Sequence, residues 1–355
     1  MRRISVDKII TGMRLSKSIN LIDGRMLLSK GMPLKESYID KLKNLGIYQV
    51  YIDDEISSDL HVDDVISEET RFHARVQVKK LMEDISSSGA IDLCPIGDTV
   101  NTIIDELIYN KNIMVNLDDV RSVDDYTFSH SVNVCVLSII TGINLGYNQT
   151  RIKEMGMGAL LHDIGKTKVS NEIIKKPGFL HPVEMEEMKK HAEYGHEILK
   201  SFPEIGYTSR FVVLAHHERC DGSGYPLGLK GEETHEFVKV VAVADVFDAL
   251  TSDRIYRRRV ERQEAVEYLT SMSGKLFDCD IVKAFIRSVP VYPIGTIVEL
   301  STGQKAIVLD NNRDFPTRPR VRIIEDEKRN RVQKCDVIDL LKINNITVLR
   351  ECRDI

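Results

Sequence analysis

With 355 residues, 42% of them hydrophobic and 29% charged, the chain exceeds the usual size of one domain and can bury a core, which excludes a largely disordered protein. A net charge of -5 gives no general attraction to nucleic acid or anionic lipid, so phosphate recognition has to come from locally placed Lys and Arg. The apolar runs near Val132 to Ile140 and Val238 to Val246 are far shorter than the ~20 residues of a membrane helix, so no membrane insertion is expected.

Residues 1–60 carry short β-branched segments, a turn at Asp23-Gly24-Arg25, a helical stretch from Ser37 to Leu45 closed by Gly46, and a strand from Tyr48 to Ile52. This reads as a small N-terminal α/β unit. Over 61–111 apolar residues recur at helical spacing, broken near Ser86 to Gly89 and at Pro95-Ile96-Gly97, so connecting helices are expected. They serve as a linker or packing pair, or alternatively as a signalling or dimerisation stalk. Residues 112–290 are dominated by helix-length periodic segments and hold nearly all residues of catalytic type, which makes them the catalytic domain. Residues 291–355 form a small β-rich C-terminal unit, with strands at Thr296 to Leu300, Ala306 to Leu309 and Arg320 to Ile324, and turns at Gly303, Asn311-Asn312 and Pro316. The fold class is therefore multidomain, an all-α bundle flanked by a small α/β unit and a small β unit. Six cysteines lie far apart with no CxxC pair, behind an opening Met-Arg-Arg that lacks a signal-type apolar run, so reduced thiols and a cytoplasmic location are expected.

Within the helical region His130, His162-Asp163, His191, His216-His217 and Asp245 recur about every 25 to 32 residues. One helix and its return connection use roughly 20 to 30 residues, so successive helices of one bundle can each deliver a ligand inward. His and carboxylate donors without paired Cys suit Fe, Mn, Zn or Ni. The set exceeds the needs of one ion and suits two divalent ions sharing a carboxylate, with Asp163 the natural bridge, an arrangement that activates water for attack on phosphorus. Ala159-Leu160-Leu161 and Phe211 to Ala215 are apolar helix segments that end in ionisable residues, whose burial is costly without a metal. His61, His73, His181, His196 and His235 lack such a context and are not expected to be ligands.

The ordered string His130, His162-Asp163-Ile-Gly-Lys166, Lys190-His191, His216-His217-Glu-Arg-Cys-Asp-Gly-Ser-Gly-Tyr-Pro226 and Val243-Ala-Asp245-Val-Phe-Asp-Ala-Leu-Thr-Ser-Asp-Arg254-Ile-Tyr-Arg257 resembles the HD-GYP family of HD-domain phosphohydrolases. The match covers about half of the chain and continues to Gly274 and Phe277-Asp278. The resemblance implies an all-helical HD-type bundle and hydrolysis of the bacterial second messenger cyclic di-GMP to linear pGpG or GMP. It further implies one ion on His130, His162, Asp163 and Asp245 and a second on Asp163, His191, His216 and His217, with iron or manganese the expected filling. Some family members bind a third ion through a Glu four residues before the first ligand His, where this chain has Tyr126; two ions and pGpG are therefore expected.

Lys166, Arg254 and Arg257 resemble the family's phosphate contacts, Arg as a two-pronged donor and Lys as a mobile charge. Asp163 and Lys166 are the expected catalytic pair. Gly224-Tyr225-Pro226 belongs to a rigid loop beside His217, where Tyr225 is a candidate for contacting the guanine or a protein partner. Asp221 and Asp248 are candidates for orienting the ligands. A homodimer is a further candidate association. The competing readings are a cyclic di-GMP-binding signalling scaffold without turnover, hydrolysis of another cyclic dinucleotide or a nucleotide, and nucleic-acid binding by Arg313, Arg318, Arg320 and Arg322. Nearby Asp310, Asp314, Glu325, Asp326 and Glu327 make the last a mixed-charge surface, so no nucleic acid is expected.

Overall fold

The structure is a computed structural model describing residues 1–20, 25–45, 47–60, 64–87, 91–110, 114, 126–252, 260–332 and 336–352. The Asp23-Gly24-Arg25 turn therefore lies largely outside the described residues, as do Gly46, His61, Arg254 and Arg257.

The N-terminal unit holds strands β1 (Arg2–Ser5), β2 (Arg14–Leu15), β3 (Ile19–Asn20) and β4 (Met26–Leu28), helix α1 (Ile39–Asn44) and strand β5 (Gln49–Asp53). β5 lies between β1 and β2, antiparallel to both, with Ile4 opposite Val50, and β3 pairs with β4. Alternation along these strands turns Ile4, Leu15, Val50 and Ile52 into a private core with Leu34 and Leu42.

Helices α2 (Glu68–Ser86) and α3 (Cys94–Tyr109) follow. Ser67 caps α2 by accepting from the Thr70 N–H, and Glu106 of α3 accepts from Ser67 and Thr70, tying the two helices together. The break expected at Pro95-Ile96-Gly97 is instead the first turn of α3. A proline there gives up an N–H that would have no helical partner, so it starts a helix rather than interrupting one. Both helices bury apolar faces (Ala74, Val78, Leu81 and Val100, Ile103, Leu107) in the same core as the catalytic bundle.

The bundle comprises α4 (Tyr126–Asn144), α5 (Gln149–Leu161), α6 (Asn171–Ile174), α7 (Pro182–Lys189), α8 (His191–Lys200), α9 (Tyr207–Ala215), α10 (Glu236–Thr251), α11 (Arg262–Ser271) and α12 (Cys279–Ile286). A short 3-10 helix, Ile164–Lys168, follows α5. Helices α4 and α10 are apolar on nearly every face, from Val132 to Ile140 and from Phe237 to Ala244, which places them at the centre of the bundle. Each fully buried aliphatic or aromatic side chain contributes ~1.5–3 kcal/mol, so these two helices form a stiff frame for what they carry.

Strands β6 (Ile297–Leu300), β7 (Lys305–Asp310), β8 (Arg320–Glu325), β9 (Val337–Asp339) and β10 (Val348–Glu351) make an antiparallel sheet ordered β10-β6-β7-β8-β9. Leu60 packs with Ile297, Ile307 and Ile324, and Arg322 pairs with Asp59, so the two ends of the chain meet. Arg318 donates to the Ile346 carbonyl. Two members of the basic cluster thus serve contacts within the chain. No helix among the described residues is long and apolar enough to cross a membrane.

Candidate metal centre

Five segments bring the seven expected ligands together. His130 projects from the first half of α4 and Asp245 from the middle of α10. His162 caps α5 and Asp163 follows it; His216 caps α9 and His217 follows it; His191 opens α8 directly after α7. Most of these expected ligands sit at helix ends rather than along helix faces. Their donor atoms gather in three overlapping groups whose members lie within 4.8 Å of one another: His191, His216 and His217; His130, His162 and Asp245; and His162, Asp163 and His216.

Three of the imidazoles are oriented by one device. His162, His191 and His216 each place Nδ1 at 2.7–2.8 Å from the carbonyl three residues back, of Ala159, Met188 and Val213 respectively. A carbonyl only accepts, so Nδ1 carries the proton and the Nε2 lone pair of the neutral ring faces the interior. Nε2 of His191 and Nε2 of His216 consequently stand 3.2 Å apart, lone pair towards lone pair, and Nε2 of His162 is buried without a hydrogen-bond partner. Such nitrogens call for a cation between them, and the donor set fits a divalent metal.

The electrostatic surroundings of these groups agree with that fit. Burial, helped by neighbouring imidazoles, holds His216 well below the ordinary histidine range; burial likewise lowers His191 and His217 against the opposing pull of carboxylates. Burial alone would raise Asp163, but the Lys166 ammonium foremost outweighs it and keeps the carboxylate ionised; the hydrogen bond from His130 does the same for Asp245. Neutral imidazoles beside ionised carboxylates are the protonation states that metal ligation needs. His130 differs: burial would lower it, yet Asp245 and Asp248 together push it up to about 9.

Asp163 sits at the junction, with Oδ2 3.4 Å from His162 Nε2 and 3.9 Å from His130 Nε2, and Oδ1 3.5 Å from His191 Nε2. The Lys166 ammonium lies 2.5 Å from Asp163 Oδ2. Asp248 accepts from His130 Nδ1 at 2.7 Å and so touches a ligand directly. Asp221 does not: its described hydrogen bonds go to the backbone N–H and hydroxyl of Ser223, which shape the loop itself. Tyr225 stacks on His217 with ring centroids 4.6 Å apart, next to a cis peptide to Pro226, and the Lys189 ammonium lies 5.5 Å from its ring centre. Of the other histidines, His235 caps α10, His196 meets the Arg210 carbonyl, the His181 N–H donates to Glu184 at the start of α7, and His73 lies beside Gln77.

Glu218 was not singled out in the sequence, yet it organises the loop. Buried directly after His217, it accepts from the N–H groups of Leu227, Gly228 and Leu229 at 2.7, 3.2 and 2.9 Å. The sequence signal was available: a carboxylate heading a glycine-rich loop whose N–H groups need acceptors. Glu218→Gln turns one acceptor oxygen into a donor facing donors, and should cost ~1.5–3 kcal/mol in urea unfolding. A variant with the midpoint of the unaltered protein would show that the loop is held by other contacts.

Comparison with known proteins agrees with this geometry. The family described as "HD domain" matches residues 128–281, and the "KOW domain associated with HD domain" matches 297–354. The chain is 33% identical over 267 residues to a cyclic di-GMP phosphodiesterase of Pseudomonas aeruginosa, covering 75% of this chain and 64% of that one. It is 41% identical over 165 residues to a cyclic di-GMP phosphodiesterase of Thermotoga maritima, covering 46% and 45%. The chain thus spans about half to two thirds of the length of these relatives. The solved structure of an HDG"Y"P protein from Bdellovibrio bacteriovorus superposes with a TM-score of 0.51 at 17% identity, covering 80% of this chain and 97% of that one, which shows the same fold. With the His-Asp pair and the Gly-Tyr-Pro loop assembled around one cluster of His and Asp donors, residues 128–281 form an HD domain and residues 297–354 a KOW-type domain associated with it, in the fold of the HDG"Y"P protein.

Proposed function

We propose that the chain is a metal-dependent phosphodiesterase that opens cyclic di-GMP to linear pGpG. The observation that carries this reading is the inward convergence of neutral Nε2 lone pairs around an ionised Asp163. One ion would be held by His130, His162, Asp163 and Asp245, and a second by Asp163, His191, His216 and His217, with iron or manganese as filling. Such ions supply Lewis acidity towards a phosphoryl oxygen and lower the pKa of water.

The chain's own residues provide the rest. Lys166 sits at the edge of the cluster on a partly exposed stem, so its ammonium can turn from Asp163 towards a phosphate oxygen and offset charge that develops there. Tyr225, held over His217 by the loop that Glu218 fixes, walls one side of the site with an aromatic face suited to a base. Burial and the nearby Asp245 and Asp163 charges push the Tyr225 phenol up, so it remains a neutral donor. Arg254 and Arg257 are proposed as further phosphate contacts, and the Gly224-Tyr225-Pro226 loop as a docking point for a protein partner.

Lys166→Ala is expected to retain metal while lowering kcat about 100-fold, as loss of one preorganised charge does; equal turnover would remove Lys166 from the reaction. The function itself is tested by incubating anaerobically purified, Mn- or Fe-loaded protein with cyclic di-GMP and following products by chromatography alongside metal analysis. Linear pGpG with two ions per chain supports the reading. Bound metal without product would favour a receptor, and turnover of another cyclic dinucleotide in preference would replace the substrate.

A further inference from the structure

Of the expected ligands, His130 is fixed in a different way from the three that lean on main-chain carbonyls. Its Nδ1 meets a side chain, Asp248, and a file of buried polar groups continues behind it. Asp248 Oδ1 accepts from the Asn133 side-chain amide at 2.7 Å, and Asn133 Oδ1 accepts from Arg71 Nη1 at 3.1 Å. Arg71 lies on α2, outside the matched HD domain, and its other guanidinium nitrogen stands 3.8 Å from Asp64 Oδ1. Asp64 in turn accepts from Lys17 of the N-terminal unit at 2.9 Å. Arg71, Asn133, Asp248 and His130 are each at least nine-tenths buried, so water does not set their orientations.

The direction of this file is not free. A side-chain amide can present either its oxygen or its NH2 to a neighbour, and only its partners decide. A guanidinium has donors alone and a carboxylate acceptors alone, so Arg71 and Asp248 together turn the oxygen of Asn133 towards Arg71 and its NH2 towards Asp248. Asp248, receiving that donor on one oxygen, keeps the other as acceptor for His130 Nδ1–H, which leaves Nε2 of His130 to face Asp245 and Asp163. We propose that Arg71 is a positioning residue for the metal centre, which through Asn133 and Asp248 fixes the ring orientation of His130 and keeps its Nδ1–H on Asp248. The proposal rests on the metal-binding reading above and not on the identity of the substrate. It also makes a helix outside the HD domain part of the ligand support, so that the HD domain alone lacks one of its own braces.

The test is Mn2+ affinity of the full chain, measured by chelator competition, for Arg71→Met, Arg71→Gln and Arg71→Lys, with thermal unfolding recorded for each. Met removes the donor, Gln restores polarity but can either donate or accept, and Lys only donates. Met and Gln are expected to weaken Mn2+ binding about 10-fold, in the range seen when a ligand's hydrogen-bond partner is lost, while Lys stays within about 2-fold of the unaltered chain. Should the Met variant not fold, Gln against Lys decides. Equal affinity in the Gln and unaltered chains, or a Lys variant as weak as Gln, would overturn the role of Arg71 while leaving the metal reading intact. An unaltered chain that binds no Mn2+ would overturn both.

Discussion

Asp163→Ala is expected to yield a folded chain that holds no metal and has lost about 1000-fold or more of its kcat/KM, equivalent to ~4 kcal/mol of barrier. Asp163 is the residue whose two oxygens reach towards both halves of the histidine cluster, His130 and His162 on one side and His191 on the other. Without it, the converging imidazoles and the Lys166 ammonium lose the negative charge that offsets a second cation. The unfolding temperature reports the same event independently of turnover. Ligand at 100 times its Kd stabilises a native state by ~2.7 kcal/mol, so added Mn2+ should raise the melting temperature of the unaltered chain and leave that of the variant in place. A variant that still melts higher with Mn2+, or still cleaves the cyclic dinucleotide, would sink the assignment of Asp163 as the shared ligand.

Gly165→Ala is expected to damage the same site from the backbone side. A Cβ built at Gly165 would lie 1.8 Å from the His191 carbonyl oxygen and 2.4 Å from the Gly195 nitrogen, both main-chain atoms that no rotamer change can move aside. The 3-10 turn after Asp163 and the start of α8 therefore have to separate. Overpacking of this kind costs ~3 kcal/mol, a large share of ordinary domain stability, and it displaces His191 from Asp163. The urea midpoint should fall, and metal content should drop towards that of a chain lacking the His191 side. An unchanged midpoint with full metal content would mean that the two segments separate at little cost.

The ligands were legible because chemistry restricts them: His and Asp recur at helix-length intervals, and those at 162–163 and 216–217 close apolar helix segments, where ionisable groups have few other reasons to be buried. Their supports were not. Arg71, Asn133 and Glu218 are buried polar residues whose partners lie 62, 115 and about 10 positions away, and periodicity reports which face is covered, never what a polar group there will meet. Pro95 misled in the opposite sense, since the same residue marks a break within a helix and a favourable first turn. In the C-terminal sheet β6, β7 and β8, each rich in buried apolar residues, were found, whereas β9 and β10, three and four residues long, have no fully buried residue, so no apolar pattern betrays them.

The device that orients His162, His191 and His216 carries a consequence for how the site tolerates genetic change. Their acceptors are peptide carbonyls, which every residue possesses, so no point substitution can delete them, and Ala159, Met188 and Val213 are free to vary in side chain as far as ligand orientation is concerned. His130 has no such insurance. Its bearing depends on the chemical identity of a chosen side chain, so substitution of a single supporting side chain can release the ring while every ligand is still in place.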